Sequence, residues 1–172
     1  MISQKMTDRI NLQINREMYS AYLYLAMGAK MTEEGYVGIG KWLTVQYHEE
    51  MFHAMKFAKY LQDQGAAVKY AKLDEPKFKG TNIKELFQEV YEHEKFVTAS
   101  IREIVELARA EKDYATENLL AWYIDEQVEE EKNDLEILQT IDLLGNSPHG
   151  LFMLNIELGK RDASVALDFT KV

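Results

Sequence analysis

Two residues in the middle of the chain, Glu50 and His53, have side-chain types and a spacing that suit a metal site. They are three positions apart, so on a helix both side chains lie on one face. Apolar residues recur at helical spacing on either side of the pair: Leu43, Tyr47, Ala54, Phe57 and Leu61. Because a carboxylate in a buried apolar stripe is unfavourable unless a positive group meets it, the pair predicts a compensating partner.

The same pattern, a glutamate near the centre of an apolar helical stripe, occurs three more times, at Glu17, Glu94 and Glu130. On the stripe around Glu130 we also place the polar residues Gln127 and Asp134. The apolar positions expected to face inward are Ile10, Ile14, Ala21, Leu25 and Gly28; then Ile83, Phe87, Val90, Val97, Ile101, Val105 and Ala108; and then Leu120, Tyr123, Leu138 and Ile141.

These stripes predict five helices, which are separated by residues that end helices. Gly35 and Gly38 interrupt the first stripe, Gly65 is a plausible left-handed C-cap, and Asn82 with Glu85 resembles a capping box. A tight connection at 111–113 and a breaker at 145–148 complete the divisions. The expected helices are 5–33, 37–64, 82 to about 111, 114–144 and a short one at about 149–164.

The lengths of the connections predict the topology. The first and last connections of the four long helices are only a few residues, so each of those pairs must be antiparallel. The middle segment, residues 65–81, can span about 60 Å when extended, enough to run back along a helix of about 42 Å. The second and third helices are then parallel. We predict an all-α fold, a single domain over residues 1–172, with a four-helix bundle, one long crossover and a short fifth C-terminal helix.

Each of the four glutamates lies near the midpoint of its helix, so all four should share one layer in the centre of this bundle. No lysine or arginine lies on the inward stripes to neutralise them. Protonated or solvent-reaching glutamates are the alternative, but four in one layer with a Glu-x-x-His pair favour two divalent cations. Carboxylate oxygens with one imidazole suit Fe(II) or Mn(II).

Composition narrows the class of protein. The chain has 172 residues, no cysteine and a net charge of −9. The absence of cysteine excludes disulfides and cysteine-ligated clusters and suits a reducing compartment. The negative charge makes nucleic acid an unsuitable partner. We find no apolar run of signal-peptide or membrane-spanning type. A cytoplasmic protein without a membrane or nucleic-acid partner is therefore expected.

Four segments together resemble the ferritin family, and most closely its non-haem bacterial members. They are 15–22, 49–53, 93–94 and 122–131. They match the known pattern of ferritin-like di-iron proteins, in which glutamates and Glu-x-x-His motifs project into a bundle. The resemblance extends over nearly the whole chain and implies a ferritin-like fold.

The resemblance also implies a role for each inward glutamate. Glu17, Glu50 and His53 would hold one iron, and Glu50 would bridge to a second iron held by Glu94 and Glu130. This arrangement would be a di-iron ferroxidase centre.

Further residues match positions beside that centre. Gln127 should hydrogen-bond a ligand or an oxygen species. Tyr24, two turns after Glu17, could donate a hydrogen bond or an electron, although packing alone would also explain it. A third iron site of bacterial ferritins is matched by Glu49, Glu126, Glu129 and Glu130, for which the alternative is a solvated acidic face.

Departures from related families exclude two other cofactor types. Haem-containing bacterioferritins carry a second Glu-x-x-His where this chain has residues 127–130 without a histidine. Met51 lies at the position of their haem ligand, but we expect it to pack in the core, and no haem is expected. The absence of cysteine argues against rubrerythrin-like electron transfer. Trp122 is expected to be a packing residue, and the remaining histidines should lie at the surface or just outside the ligand set: His48, His93 and His149.

The implied function is iron storage by a ferroxidase, which oxidises Fe(II) with O2 or peroxide and deposits ferric mineral in a hollow homo-oligomer. By the resemblance this is a cage of 24 subunits, with the fifth helix at the four-fold axes. Asp113 and Glu117 would line iron entry pores, or simply favour the start of a helix. Two alternatives stay open: a di-iron oxidase acting on an organic substrate, and metal sequestration without turnover.

Overall fold

The computed structural model describes residues 2–145, 147–165 and 168–169, and the described part of the chain contains five helices and no strand. The helices are α1 (Gln4–Glu33), α2 (Val37–Asp63), α3 (Ile83–Glu111), α4 (Tyr114–Leu144) and α5 (Pro148–Leu158). The four long helices agree with the prediction to within one residue at each end. The predicted fifth helix was too long: Gly159 caps it, and the chain after it turns toward α2. Asn146, part of the predicted breaker, lies outside the described residues.

Side-chain caps explain where four of the five described helices begin, whereas α2 has no side-chain cap. Ser3, Asn82, Asp113 and Ser147 each accept a hydrogen bond from a backbone N–H three residues on. The predicted capping box at Asn82 is only half formed, because Glu85 reaches back to the N–H and hydroxyl of the preceding Thr81 instead.

Helix α2 ends at a glycine with a left-handed backbone conformation. Gly65 has a φ of +69°, and the N–H of Ala66 donates to the carbonyl of Leu61 at 2.8 Å, while the N–H of Gly65 donates to the carbonyl of Gln62 at 2.9 Å. This is the Schellman arrangement, in which a left-handed residue satisfies the last helix carbonyls. The predicted stop at Gly65 is confirmed.

Contacts between side chains confirm the topology. Along α1, Arg9 reaches Ser100 and the later Ser20 reaches the earlier His93, so α1 and α3 are antiparallel. Since α1 and α2 form an antiparallel hairpin, α2 and α3 are parallel. The crossover is fixed to α1 by the Asn11 side chain, which donates to the carbonyl of Ala67 at 3.0 Å.

The bundle interior consists of two apolar clusters with a polar layer between them. One cluster lies near the α1–α2 turn and includes Met27, Leu43 and Phe87; the other lies at the opposite end and includes Ile14 and Phe57. The predicted stripes of α3 and α4 are buried throughout. The prediction that Leu25 on α1 faces inward is wrong, because 41% of its surface is exposed. It is eight residues beyond Glu17 and therefore rotated about 80° from it, at the margin of the stripe.

Helix α5 docks on the start of α2 through a close backbone contact. A Cβ atom at Gly38 would lie 1.8 Å from the backbone oxygen of Asn155, so only glycine permits this approach. The Asn155 side chain also accepts a hydrogen bond from the N–H of Ile39 at 3.1 Å. This junction directs the residues after α5 along α2, where Arg161 packs over the ring of Trp42.

Candidate metal centre

The polar layer brings together the glutamates that the sequence predicted to converge. Glu17, Glu50, Glu94 and Glu130 come from the middle of α1, α2, α3 and α4, and each is at most 3% exposed. His53 lies one turn after Glu50 and is also buried. The layer therefore contains four carboxylates and one imidazole from all four helices.

The α1–α2 half of this layer has the geometry of a cation site. Glu17, Glu50 and His53 each offer one ligand atom, and these atoms lie within 4.8 Å of one another. Among the described residues, both carboxylate oxygens of Glu50, one oxygen of Glu17 and Nε2 of His53 have no hydrogen-bond partner. Buried polar atoms without partners are unfavourable, so a cation that displaced the protons of this group would satisfy all of them.

The α3–α4 half of the layer is different, because its carboxylates have neutral hydrogen-bond donors. The Tyr24 hydroxyl donates to Oε1 of Glu94, and Gln127 Nε2 donates to Oε2 of the same residue at 3.1 Å. Gln46 Nε2 donates to Oε2 of Glu130 at 2.9 Å. The predicted positions of Tyr24 and Gln127 beside the glutamates are thus observed in the structure.

Burial and mutual repulsion raise the pKa values of these carboxyl groups. Burial, then the charge of Glu130, raises the pKa of Glu94 to about 8. The pKa of Glu50 is well above its ordinary value because of burial and the charge of Glu94, and burial raises that of Glu130. At neutral pH the metal-free layer therefore keeps protons that a metal ion would displace.

Burial alone would lower the pKa of His53, but the facing carboxylates raise it well above its ordinary value. Its Nε2 is 3.8 Å from Oε1 of Glu126, and its Nδ1 is 3.6 Å from Oε2 of Glu50. The imidazole is thus the positive group of the metal-free layer, and it must lose a proton to bind a metal.

Aromatic side chains hold the His53 ring in place. The Trp122 ring packs edge-on against it with centroids 5.4 Å apart, and the Tyr123 hydroxyl donates to the His53 carbonyl at 2.8 Å. Lys56 Nζ lies 3.5 Å above the centre of the Trp122 ring. Trp122 is therefore a packing residue, as expected, but one that contacts a predicted metal ligand.

The residues predicted to form a third iron site are less closely assembled. Glu49 is buried, but its carboxylate accepts hydrogen bonds from Arg161 Nη2 at 2.5 Å and from the Ser164 hydroxyl at 2.9 Å. Glu126 is partly buried beside His53, and Glu129 is exposed. In the metal-free chain the Glu49 carboxylate is therefore already paired with Arg161.

The remaining predicted residues have ordinary partners. Asp113 caps α4 by accepting from the N–H of Thr116 at 3.1 Å, and Glu117 accepts from Arg109 at 2.7 Å. His93 lies just outside the glutamate layer, with Nε2 2.8 Å from the Ser20 hydroxyl and its ring edge-on to Tyr24. Burial lowers the pKa of His93 to about 4, so it is neutral. His149 is exposed.

Sequence reasoning missed two glutamines and left one aspartate without a role. Gln13 Nε2 donates to Glu17 at 2.8 Å, and Gln46 Nε2 donates to Glu130. Each glutamine is four residues before a glutamate of the polar layer on its own helix. Asp134 was expected to face inward and is fully buried. A polar residue one turn from each inward glutamate is the signal that could have found all three.

The donor set indicates which metals the layer would accept. It consists of oxygen donors and one imidazole, without sulfur, which suits Fe(II) or Mn(II). Among the described residues, none of the buried side chains is lysine or arginine. Within the described chain, the carboxylate charge thus has His53 as its only fully buried cation and the partly buried Arg161 at its flank, and two divalent ions would balance it.

Comparison with known proteins agrees with this fold. A bundle of this topology with inward glutamates defines the class of ferritin-like proteins. The chain matches the model of the ferritin-like domain over residues 7–144, and it belongs to the ferritin family.

Its relatives include bacterial non-haem ferritins. It is 40% identical over 162 residues to the bacterial non-haem ferritin of Bacteroides fragilis, covering 94% of this chain and all of the relative. It is 38% identical over 159 residues to a probable non-haem ferritin-like protein of Haemophilus influenzae, covering 92% of this chain and 96% of that one. The open-pore ferritin of Archaeoglobus fulgidus superimposes with a TM-score of 0.92 at 43% identity, covering 94% and 98% of the two chains.

None of the described helices is both long and apolar enough to cross a bilayer.

Proposed function

We propose that this ferritin stores iron and that its central layer is a ferroxidase centre for two Fe(II) ions. The observation that carries the proposal is the cluster of Glu17, Glu50 and His53, whose facing ligand atoms are buried and largely without partners. Iron is the substrate and the cargo of this reaction. Glu94 and Glu130 would hold the second ion, with Glu50 between the two.

The reaction requires two electrons and two protons. Each Fe(II) gives one electron to O2, which takes up two protons and leaves as hydrogen peroxide, and two Fe(III) remain. Peroxide as the oxidant would take two electrons and two protons and leave as two waters. Carboxylate ligands favour the products, because the more highly charged Fe(III) gains more from anionic oxygens than Fe(II) does.

Other residues would control protons and geometry. Metal binding displaces the protons held by the glutamates and by His53, and these protons are available to the reduced oxygen. Tyr24 and Gln127 orient Glu94 through their hydrogen bonds, and each could turn its donor toward a bound oxygen species. Gln46 orients Glu130 in the same way.

Three finer features remain part of the proposal. Glu49, Glu126, Glu129 and Glu130 would form a third iron site, which requires Arg161 to leave Glu49. The chain would assemble into a homo-oligomeric cage of 24 subunits that encloses the mineral. The cage would contain no haem and would have no nucleic-acid or membrane partner. A cytoplasmic location is still a prediction from composition and family resemblance.

Aerobic addition of Fe(II) to the assembled protein tests the proposal. We expect rapid O2 uptake without any organic substrate, followed by retention of many irons per subunit after gel filtration, and light scattering should give the mass of a large homo-oligomer. Iron retention without O2 or peroxide consumption would indicate sequestration alone. O2 uptake that requires an added organic molecule would indicate an oxidase of another substrate. A monomer in solution would exclude the cage.

A further inference from the structure

A second polar layer lies one helical turn from the glutamate layer. Gln46 is four residues before Glu50 on α2, and Asp134 is four residues after Glu130 on α4. Gln46 contacts Glu130, whereas the later Tyr60 on α2 contacts the earlier Thr116 on α4, so these two helices are antiparallel. One turn back along α2 and one turn forward along α4 therefore reach the same level of the bundle.

Both residues of this layer are fully buried and carry oxygens without partners. Gln46 and Asp134 are 0% exposed. Within the described chain, both carboxylate oxygens of Asp134 and Oε1 of Gln46 accept no hydrogen bond. Gln46 is held with Nε2 toward Glu130, because its oxygen would be repelled there, and this leaves Oε1 as the free acceptor.

An unpartnered aspartate is unfavourable at this position as a packing residue. Its α4 neighbours Ile137 and Leu138 belong to an apolar cluster, and leucine in place of Asp134 would add to that cluster. Burial and the charges of Glu94 and Glu130 raise the pKa of Asp134 to about 9, so without metal it holds a proton. A buried acid that lowers stability and accepts no hydrogen bond, with only the charge of Arg161 acting on it favourably, points to a ligand that is bound only part of the time.

We propose that Asp134 and Gln46 form a further binding position for a hard divalent cation, next to the Glu94–Glu130 half of the metal centre. The Asp134 carboxylate and Oε1 of Gln46 supply two oxygen ligands, Glu130 supplies a second negative charge, and waters complete the coordination. Ions such as Mn(II) and Fe(II) accept sites with few protein oxygens and several waters.

The position has a consequence for iron movement that rests on the proposed function. Because Glu130 lies next to both sites, an ion can move between the di-iron centre and Asp134 while one carboxylate stays close to it. In a working ferritin, the occupant would be an iron ion moving to or from the di-iron centre.

Anomalous diffraction from crystals of the assembled protein, soaked with Mn(II) without oxygen, tests the proposal. We expect a peak between Asp134 and Gln46 in addition to any peak at Glu17, Glu50 and His53. Asp134→Asn should remove that peak and reduce Mn(II) bound at equilibrium by about one ion per subunit. The matched control Asp125→Asn, an exposed residue on the same helix, should change neither result.

A water molecule alone between Asp134 and Gln46, or unchanged Mn(II) stoichiometry in Asp134→Asn, would overturn the proposal. If Mn(II) binds at Glu50 but not at Asp134, this inference fails and the proposed ferroxidase centre does not. If Mn(II) is absent from Glu50 but present at Asp134, the proposed centre fails and this site stands.

Thermal unfolding separates a ligand role from a structural one. Without metal, Asp134→Leu should unfold at a higher temperature than the natural chain, because it removes a buried acid from an apolar region. With Mn(II) present, the variant should gain less stability than the natural chain does. A lower unfolding temperature for metal-free Asp134→Asn would show that the carboxyl supports the fold itself, and would contradict a role limited to metal binding.

Discussion

The two halves of the glutamate layer contain similar ligands but differ in how those ligands are satisfied. In the α1–α2 half, Glu50 and the facing atoms of Glu17 and His53 have no hydrogen-bond donors among the described residues. In the α3–α4 half, tyrosine and glutamine side chains donate to Glu94 and Glu130. The first half thus offers unpaired ligand atoms to a cation, whereas the carboxylates of the second half already have hydrogen-bond donors.

This difference predicts an order of binding. A cation entering the first half must displace protons from Glu50 and His53 but breaks no hydrogen bond to its ligand atoms, whereas a cation entering the second half must compete with existing hydrogen bonds. We therefore expect the Glu17–Glu50–His53 half to fill first. In the proposed centre, the neutral donors of the second half would keep its carboxylates in position until a second ion binds.

Replacing Glu50 should have the largest effect, because it lies between both ions in the proposed centre. Glu50→Ala is expected to lower the initial rate of Fe(II)-dependent O2 uptake by at least about 100-fold. The control Glu106→Ala removes an exposed glutamate from α3 and should leave the rate unchanged. If Glu50→Ala oxidised iron at the original rate, Glu50 would have no bridging role.

The stability of the metal-free protein should depend on pH in the direction set by the raised pKa values. Glu94 and Asp134 titrate near 8 and 9 in the folded chain, whereas ordinary carboxyl groups titrate near 4. Between these values the folded state holds more protons than the unfolded state, so the free energy of unfolding falls as pH rises. The raised pKa of His53 acts in the same direction.

Thermal unfolding in EDTA from pH 5 to pH 10 measures this effect. The unfolding temperature should fall steadily up to about pH 9, and added Mn(II) should reverse the fall. The double variant Glu94→Gln with Asp134→Asn should show a flatter profile. A natural chain with no loss of stability over this range would mean that these carboxyl groups are not held protonated.

Removing one donor from the second half should have a smaller effect and would sharpen the contrast between the halves. Tyr24→Phe is expected to slow O2 uptake by about 10-fold, as is typical when a partner of a metal ligand is lost. The hydrogen bond from Tyr24 lowers the pKa of Glu94, so the defect should shrink as pH rises. Binding of the first Mn(II) should be unaffected, and the exposed Tyr22→Phe serves as the control.

The smallest effect on iron oxidation is expected at the flank of the layer, where Arg161 pairs with buried Glu49. Arg161→Ala should lower the free energy of unfolding by about 2 kcal/mol, measured with denaturant, because it leaves the buried carboxylate of Glu49 without its cation. It should also increase Mn(II) binding at the predicted third site, since Glu49 would be released. Lys41→Ala, which breaks an exposed pair with Asp162, is the matched control and should change neither quantity measurably.

The fold and the positions of the main glutamates could be predicted because both follow from periodicity. A helical stripe repeats every 3.6 residues, so its period predicts which side chains face inward, including those of Glu17, Glu50, Glu94 and Glu130. The lengths of the connections predict which helices are antiparallel. Leu25 was misplaced because it lies at the edge of its stripe, where a helical pattern is least decisive.

The partners of the site could not be predicted in the same way. Arg161 meets Glu49 across 112 positions of sequence, through a turn after α5 that has no periodic signal. The choice of Gln46 as a partner for Glu130 likewise depends on side-chain rotamers of two helices that are distant in sequence. Periodicity gives the direction of a side chain but not the group it meets.

The close approach of α5 to Gly38 connects the outside of the bundle to its acidic interior. A single methyl group at position 38 would displace Asn155, and with it the helix that carries Arg161 toward Glu49. A change at a residue with no chemistry of its own would then alter the charge next to Glu130. We therefore expect iron handling to depend on how the last helix packs on the surface of the bundle.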